Sequence, residues 1–225
     1  NIYCPHCGNS EILHFPNNSA VADFYCPVCK NEYELKSKRG SIGHKITDGA
    51  YDTFIQRITS NNNPDFLILT YNADDLYVKN LWIIPKYFFA PQIVEKRRPL
   101  SSTARRAGWI GCNILFDKIP IQGQISMIQN CIPRKKISVI TQVQRSALLN
   151  TDDIKARGWL LDVLTCVNNI PNQMFSLKEI YNFENAFSIN HPQNHRIRPK
   201  IRQQLQVLRD KGFLKFLGHG IYCKK

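Results

Sequence analysis

Nowhere in the 225 residues does an apolar run approach the roughly 20 residues that cross a bilayer, and no charged start, apolar core and small-residue cleavage site marks a secretory signal. A membrane-crossing helix is thereby excluded, and a soluble, cytoplasmic protein is expected. Acidic residues are the second shortage. Seventeen Asp and Glu stand against thirty Lys and Arg, a net charge of +13, which favours a polyanionic partner such as nucleic acid or an anionic membrane surface. Disorder is also excluded, because 43% hydrophobic residues with 11% aromatics supply enough apolar surface for a core and a small second domain. The chain opens on Asn1 rather than methionine, which predicts an upstream segment.

Cysteine is plentiful by comparison, at eight residues. In a reducing compartment these are thiols or metal ligands rather than disulfides. Cys4 and Cys7 form one CxxC pair and Cys26 and Cys29 another, at the separation of a four-thiolate zinc site, in which two tight knuckles meet at one tetrahedral ion. Gly8 after the first pair suits the turn, and Lys30 after the second offsets the negative charge of Zn(Cys)4. Two unrelated redox or packing pairs are the alternative. Four-thiolate sites are closed, so this zinc is expected to be structural. Cys112, Cys131, Cys166 and Cys223 stand alone and read as packing residues or incidental thiols.

If CPVC is the turn of a hairpin, VADFYC and KNEYELKSK are its strands. Pairing centred on the knuckle sets Asp23 opposite Glu32 with Glu34 one diagonal step away. Alternation puts Glu32, Glu34, Lys36 and Lys38 on one face and Tyr33 and Leu35 on the other, so Asp23, Glu34 and Lys36 are expected to converge. Two carboxylates and an ammonium at that spacing suit phosphodiester hydrolysis: the carboxylates hold Mg2+ and the lysine steadies or helps to deprotonate the attacking water. A solvent-facing strand with alternating charges is the plainer alternative.

Asp23, ten residues, then Glu34-Leu35-Lys36 resembles the D-x(n)-[DE]-x-K signature of the PD-(D/E)XK nucleases, with Ala22 in place of the usual proline. The wider match of ADFYC, ELKSK, NNP, LTY, STARRAGWIGCN and IRQQLQ-LRDKGF, together with the four paired cysteines, is similar to the DpnI family of methyl-directed restriction endonucleases. The similarity runs from Tyr3 to the C-terminus and is weakest between about Asp117 and Asn150. It implies an α/β (α+β) PD-(D/E)XK core with an embedded Cys4 zinc site, followed by a small winged helix-turn-helix domain. It further implies cleavage of double-stranded DNA at adenine-methylated GATC, with Mg2+ held by Asp23, Glu34 and the Leu35 carbonyl and the water served by Lys36. A monomer acting on DNA is expected.

The remaining sequence is compatible with that outline. ITDGAYDTFIQRIT reads as a helix with Ala50, Phe54 and Ile58 on one stripe, and FLILTYN and LWIIPKYFF read as buried strands. Lys38, Arg39, Lys45 and Arg57 either line a DNA backbone or are solvated surface cations. The loop from Arg97 to Asn113 makes a poor core and a good nucleic-acid surface, because its four arginines grip phosphates or guanine edges and Trp109 offers a flat apolar face. Packing of Trp109 onto its own domain is the alternative. The family resemblance implies that Trp109, with Arg105 and Arg106 beside it, approaches the methylated bases.

A boundary is expected near Asn150, giving domains 1–150 and 151–225. In the second, TDDIKARGWLLDVLTCVNNI reads as a helix capped by Thr151, and FSLKEIYNFENAF as a second with a Ser176–Glu179 capping box. PKIRQQLQVLRDKGF reads as a third, stopped at Gly212, with Lys200, Arg202, Gln203 and Gln206 directed away from its apolar stripe and available to DNA. FLKFLGHGIYCKK completes a wing around Gly218-His219-Gly220. A zinc-stabilised, non-catalytic winged-helix regulator and a nuclease of different specificity remain the competing readings.

Overall fold

The computed structural model describes residues 2–16, 22–60, 62–151 and 153–225. Its contacts divide into two compact units, Asn1–Asn150 and Thr151–Lys225.

Among the described residues the first unit has ten strands: β1 (Leu13–His14), β2 (Phe24–Tyr25), β3 (Glu32–Arg39), β4 (Lys45–Ala50), β5 (Asp65–Tyr71), β6 (Val78–Ile84), β7 (Val94–Lys96), β8 (Gly111–Leu115), β9 (Ile125–Gln129) and β10 (Ile132–Pro133). A seven-stranded sheet runs in the order β1-β2-β3-β5-β6-β9-β10, and β4, β8 and β7 form a separate three-stranded sheet. β3 and β5 are parallel, with Tyr33 opposite Asp65 and Lys36 opposite Ile68; every other pair is antiparallel. The continuous apolar run of β5 follows from this position, since a strand covered on both faces has no solvated side to keep polar.

Helices α1 (Tyr51–Thr59) and α2 (Lys136–Ser146) complete the unit. Tyr33, Leu67, Leu81, Ile83, Ile125 and Met127 share one core with Cys4, Cys26 and the α2 residues Val139 and Val143. Side chains alternate across a strand, so Glu34, Lys36, Phe66 and Ile68 face the opposite side. There Phe66 packs on Phe54 of α1 at 5.8 Å and on Phe89 at 4.4 Å between ring centroids. Ala50 closes β4 instead of joining the helix, and Phe54 and Ile58 alone of the expected stripe are its buried residues. The expected strand through KYFF is also replaced. Pro85 cannot donate to a ladder, and Lys86–Phe88 winds into a 3-10 turn.

The second unit contains α3 (Ile154–Asn169), β11 (Met174–Ser176), α4 (Leu177–Tyr181), α5 (Glu184–Asn190), α6 (Ile197–Asp210), β12 (Leu214–Gly218) and β13 (Ile221–Lys224). The cap of α3 is Asp153, whose carboxylate accepts from Lys155 N and Ala156 N, rather than Thr151. An aspartate two residues closer reaches both orphan N–H groups, so it displaces the threonine from that task. Asp152 and, in the first unit, Val21 lie outside the described residues. Asp153→Ala is expected to lower the stability of this unit by about 1 kcal/mol, read as a shift in urea midpoint at unchanged slope.

The second expected helix is divided into α4 and α5, and its Ser176–Glu179 capping box is formed reciprocally. The wing gains a strand that composition did not reveal: β11 pairs with β13, giving the order β11-β13-β12. Gly218, His219 and Gly220 all have positive φ, which explains the two glycines around that turn. No helix among the described residues is long and apolar enough to cross a membrane.

Candidate active site and metal centre

The two CxxC turns have the same backbone. Gly8 N donates to Cys4 O and Cys4 N to Asn9 O; in the second turn Lys30 N donates to Cys26 O and Cys26 N to Asn31 O. Gly8 and Lys30 occupy equivalent left-handed positions, at φ 77° and 62°. Lys30 uses its ammonium on the Pro27 carbonyl at 2.6 Å, so the expected compensation of thiolate charge is not its observed contact.

All four sulfurs lie within 4.8 Å of one another, with Cys4 Sγ to Cys29 Sγ at 3.5 Å and Cys7 Sγ to Cys26 Sγ at 3.6 Å. Four sulfurs at ~2.3 Å from a tetrahedral ion are about 3.8 Å apart, so the set fits zinc. Burial pushes the Cys4 thiol up to about 12 and raises Cys29 as well, whereas at Cys26 burial is outweighed by the backbone N–H groups of Cys29 and Val28, which bring the thiol down to about 7. Tyr33 Oη lies 3.1 Å from Cys4 Sγ and joins the cluster to β3. His6, inside the first knuckle, binds Asp65 at the start of β5 through Nε2 and Oδ2, and Asp65 Oδ1 accepts from Lys86 N at 2.7 Å. Sequence reasoning did not find this clasp, although a histidine between two ligands is the kind of residue that supports a zinc shell.

Because each knuckle extends through its fifth and sixth residues, the turn is centred beyond the CPVC tetrapeptide. Phe24 pairs with Tyr33 and Tyr25 with Glu32. The expected Asp23–Glu32 pairing is therefore off by two residues: Tyr25 faces Glu32, and Asp23, just before β2, donates its N–H to Tyr33 O at 3.0 Å. Its carboxylate accepts the Leu35 N–H at 2.7 Å. A strand residue sends N–H and C=O toward the same edge, so the Leu35 carbonyl is directed to the Asp23 side.

On the face shared with α1, Lys36 Nζ lies 2.6 Å from Glu34 Oε1 and 2.8 Å from Asp48 Oδ1. Arg57 Nη1 lies 2.9 Å from Glu34 Oε2, a charge contact that is off the line of a hydrogen bond. The convergence of Glu34 and Lys36 thus includes Asp48 and Arg57, while Asp23 stands beside it, exposed and engaged with the β3 backbone. Burial works against the Lys36 charge, but Asp48 and Glu34 overcome it and the ammonium's pKa is raised.

The other candidates are placed as follows. Arg105 and Arg106 are exposed, and Arg106 stacks its guanidinium 5.0 Å from the centre of the Trp109 ring. Trp109 is half-buried over Gly111, where an added Cβ would stand 2.8 Å from the indole. Lys38 donates to Ile42 O and Lys45 pairs with Glu95, while Arg57 turns inward to Glu34, so of the expected phosphate-lining cations Arg57 is instead part of the ionic cluster. On α6, Arg202, Gln203 and Gln206 are exposed and Lys200 is half-exposed; Lys200 Nζ meets Gln203 Oε1, and Arg202 meets Tyr181 Oη.

Family models match both parts of the chain: the DpnI, Dam-replacing family over residues 1–152 and the Dam-replacing HTH domain over 155–224. The chain belongs to the DpnI, Dam-replacing family. Membership places it among methylation-dependent restriction enzymes acting on DNA, with a mixed α+β fold, a helical C-terminal HTH domain and a four-cysteine cluster able to hold zinc. The DpnI-family match takes in every residue of the Glu34–Lys36–Asp48–Arg57 cluster and both knuckles.

Proposed function

We propose that the protein is a magnesium-dependent type II endonuclease that cuts duplex DNA at adenine-methylated GATC and leaves 5'-phosphate ends. The observation that carries this reading is the meeting of Glu34 and Lys36 on one face of β3, with the Asp23 carboxylate accepting the N–H of the intervening Leu35 and the Leu35 carbonyl turned to the same edge. Asp23, Glu34 and the Leu35 carbonyl form an all-oxygen set suited to a hard divalent cation. When bound there, Mg2+ neutralises charge that builds on the scissile phosphate. Lys36, kept charged by two carboxylates, orients the attacking water and stabilises developing negative charge, and does not act as its base.

Recognition falls to two surfaces. In the first unit, the exposed part of the Trp109 indole meets the apolar N6-methyl group, and Arg105 and Arg106 hold the adjoining backbone or guanine edges. In the second, Lys200, Arg202, Gln203 and Gln206 of α6 read a DNA groove, as the HTH match supports. Gly111→Ala forces the indole off its seat, and the ratio of affinities for methylated and unmethylated duplex is expected to fall about tenfold, measured by fluorescence anisotropy.

Plasmid prepared from an adenine-methylating host and plasmid lacking the mark, each incubated with protein and Mg2+, test the proposal. Fragmentation of the methylated plasmid alone is expected. An intact methylated plasmid rejects the nuclease assignment, and equal cutting of both rejects the methyl specificity.

A further inference from the structure

Asp48 belongs to none of the motifs that mark the nuclease, yet it is bound to their lysine. Its side chain is 6% exposed, and Glu34 beside it is 14% exposed. Asp48 Oδ1 accepts from Lys36 Nζ and, at 2.6 Å, from Gly49 N, while Oδ2 is buried without a hydrogen-bond partner. Glu34 Oε2 likewise has the off-line Arg57 contact and no hydrogen bond. A buried carboxylate oxygen that receives no donor is costly unless a cation faces the group. A carboxylate serving only to support the fold would be expected to spend both oxygens on donors.

The place between the two carboxylates has the chemistry of a hard-cation site. The oxygens that bracket the ammonium are separated by no more than about 5.4 Å, the two contacts laid end to end, whereas opposite ligands of a calcium ion stand ~4.6–5.2 Å apart and those of magnesium about 4.2 Å. A small side-chain rotation therefore suffices for an ion of intermediate size. Asp48 is held in place by its own strand: it faces Cys112 across β4 and β8, and Cys112 Sγ approaches the Gly49 carbonyl at 3.6 Å.

We infer that Glu34 and Asp48 form a second divalent-cation site, one whose position is filled in this protein by the ammonium of Lys36. The inference rests on the reading of Glu34 as a metal-binding carboxylate, and it makes the enzyme a one-metal nuclease in which a lysine replaces the second ion. Removing the ammonium opens the site, and Asp48 is the residue on which the opened site depends.

Titration of zinc-loaded protein with Mn2+, without DNA or chelator, tests this by calorimetry and by the electron paramagnetic resonance of free Mn2+. Manganese is the probe because thiophilic ions would be drawn to Cys112 and the four-cysteine cluster. Lys36→Ala is expected to bind one Mn2+ more than the unaltered chain, and Lys36→Ala combined with Asp48→Asn is expected to lose that extra ion. No gain in the single variant overturns the inference, as does a gain that persists in the double variant. If the single variant is too unstable to titrate, its melting temperature is followed against Mn2+ instead. A rise larger than that of the unaltered chain and absent from the double variant supports the site, and equal rises in all three overturn it. Because neither readout involves DNA, a failure here is distinct from a failure to cut methylated plasmid.

Discussion

Cys26→Ser is expected to abolish stoichiometric zinc binding and to lower the melting temperature of the first unit by more than about 10 °C, because structural zinc binding is itself folding free energy and ~3 kcal/mol corresponds to that shift in a domain of this size. The size of the effect follows from where the cluster lies. Cys4 and Cys26 are fully buried in the same core as Tyr33, Leu67 and Val139, so the four-cysteine cluster is continuous with the sheet and α2. The knuckle also sets the register of β2 on β3, and with it the reach of the Asp23 carboxylate to Leu35 N. Zinc analysis should give one ion per chain for the unaltered protein and none for the variant. An unchanged melting curve after loss of the ion would show that the knuckles hold their register by backbone hydrogen bonds alone.

Glu34→Gln is expected to reduce cleavage of methylated duplex in Mg2+ by at least about a hundredfold while leaving DNA affinity within a factor of two or three, as removal of one charged group from a phosphoryl-transfer site does. The amide has nearly the shape of the carboxylate, so packing against Arg57 and Lys36 persists while the charge that holds a cation is lost. Single-turnover rates and anisotropy titrations separate the two quantities. Binding preserved with cutting lost agrees with the account; equal loss of both would assign Glu34 to the fold or to DNA contact.

The four-cysteine cluster is legible because its pattern is local: two CxxC turns and their spacing carry nearly all the geometry. The register of the hairpin escapes a linear reading because a turn ending at Cys29 centres the pairing on CPVC, whereas Lys30 adopts a left-handed conformation that glycine would normally supply and Asn31 closes the hydrogen-bonded loop. Asp48 and Arg57 were beyond the reach of a linear reading for a different reason. Asp48 lies on a strand whose partner, β8, is some sixty residues away, and Arg57 comes to Glu34 from the helix that follows. Neither Thr47-Asp48-Gly49 nor an arginine on an amphipathic helix carries a spacing that distinguishes it from a surface residue. In the second unit the helix-period stripes and the glycine-flanked wing were readable, while β11 was not, because a three-residue strand acquires its identity only by pairing with β13.

The most direct measurement is hydrolysis of one end-labelled duplex bearing a single GATC, methylated at adenine N6 on both strands, run in parallel with its unmethylated counterpart in the presence and absence of Mg2+. Cutting confined to the methylated duplex with Mg2+, yielding 5'-phosphate ends, is the predicted result. Tight binding of the methylated duplex with both strands left whole would contradict the account.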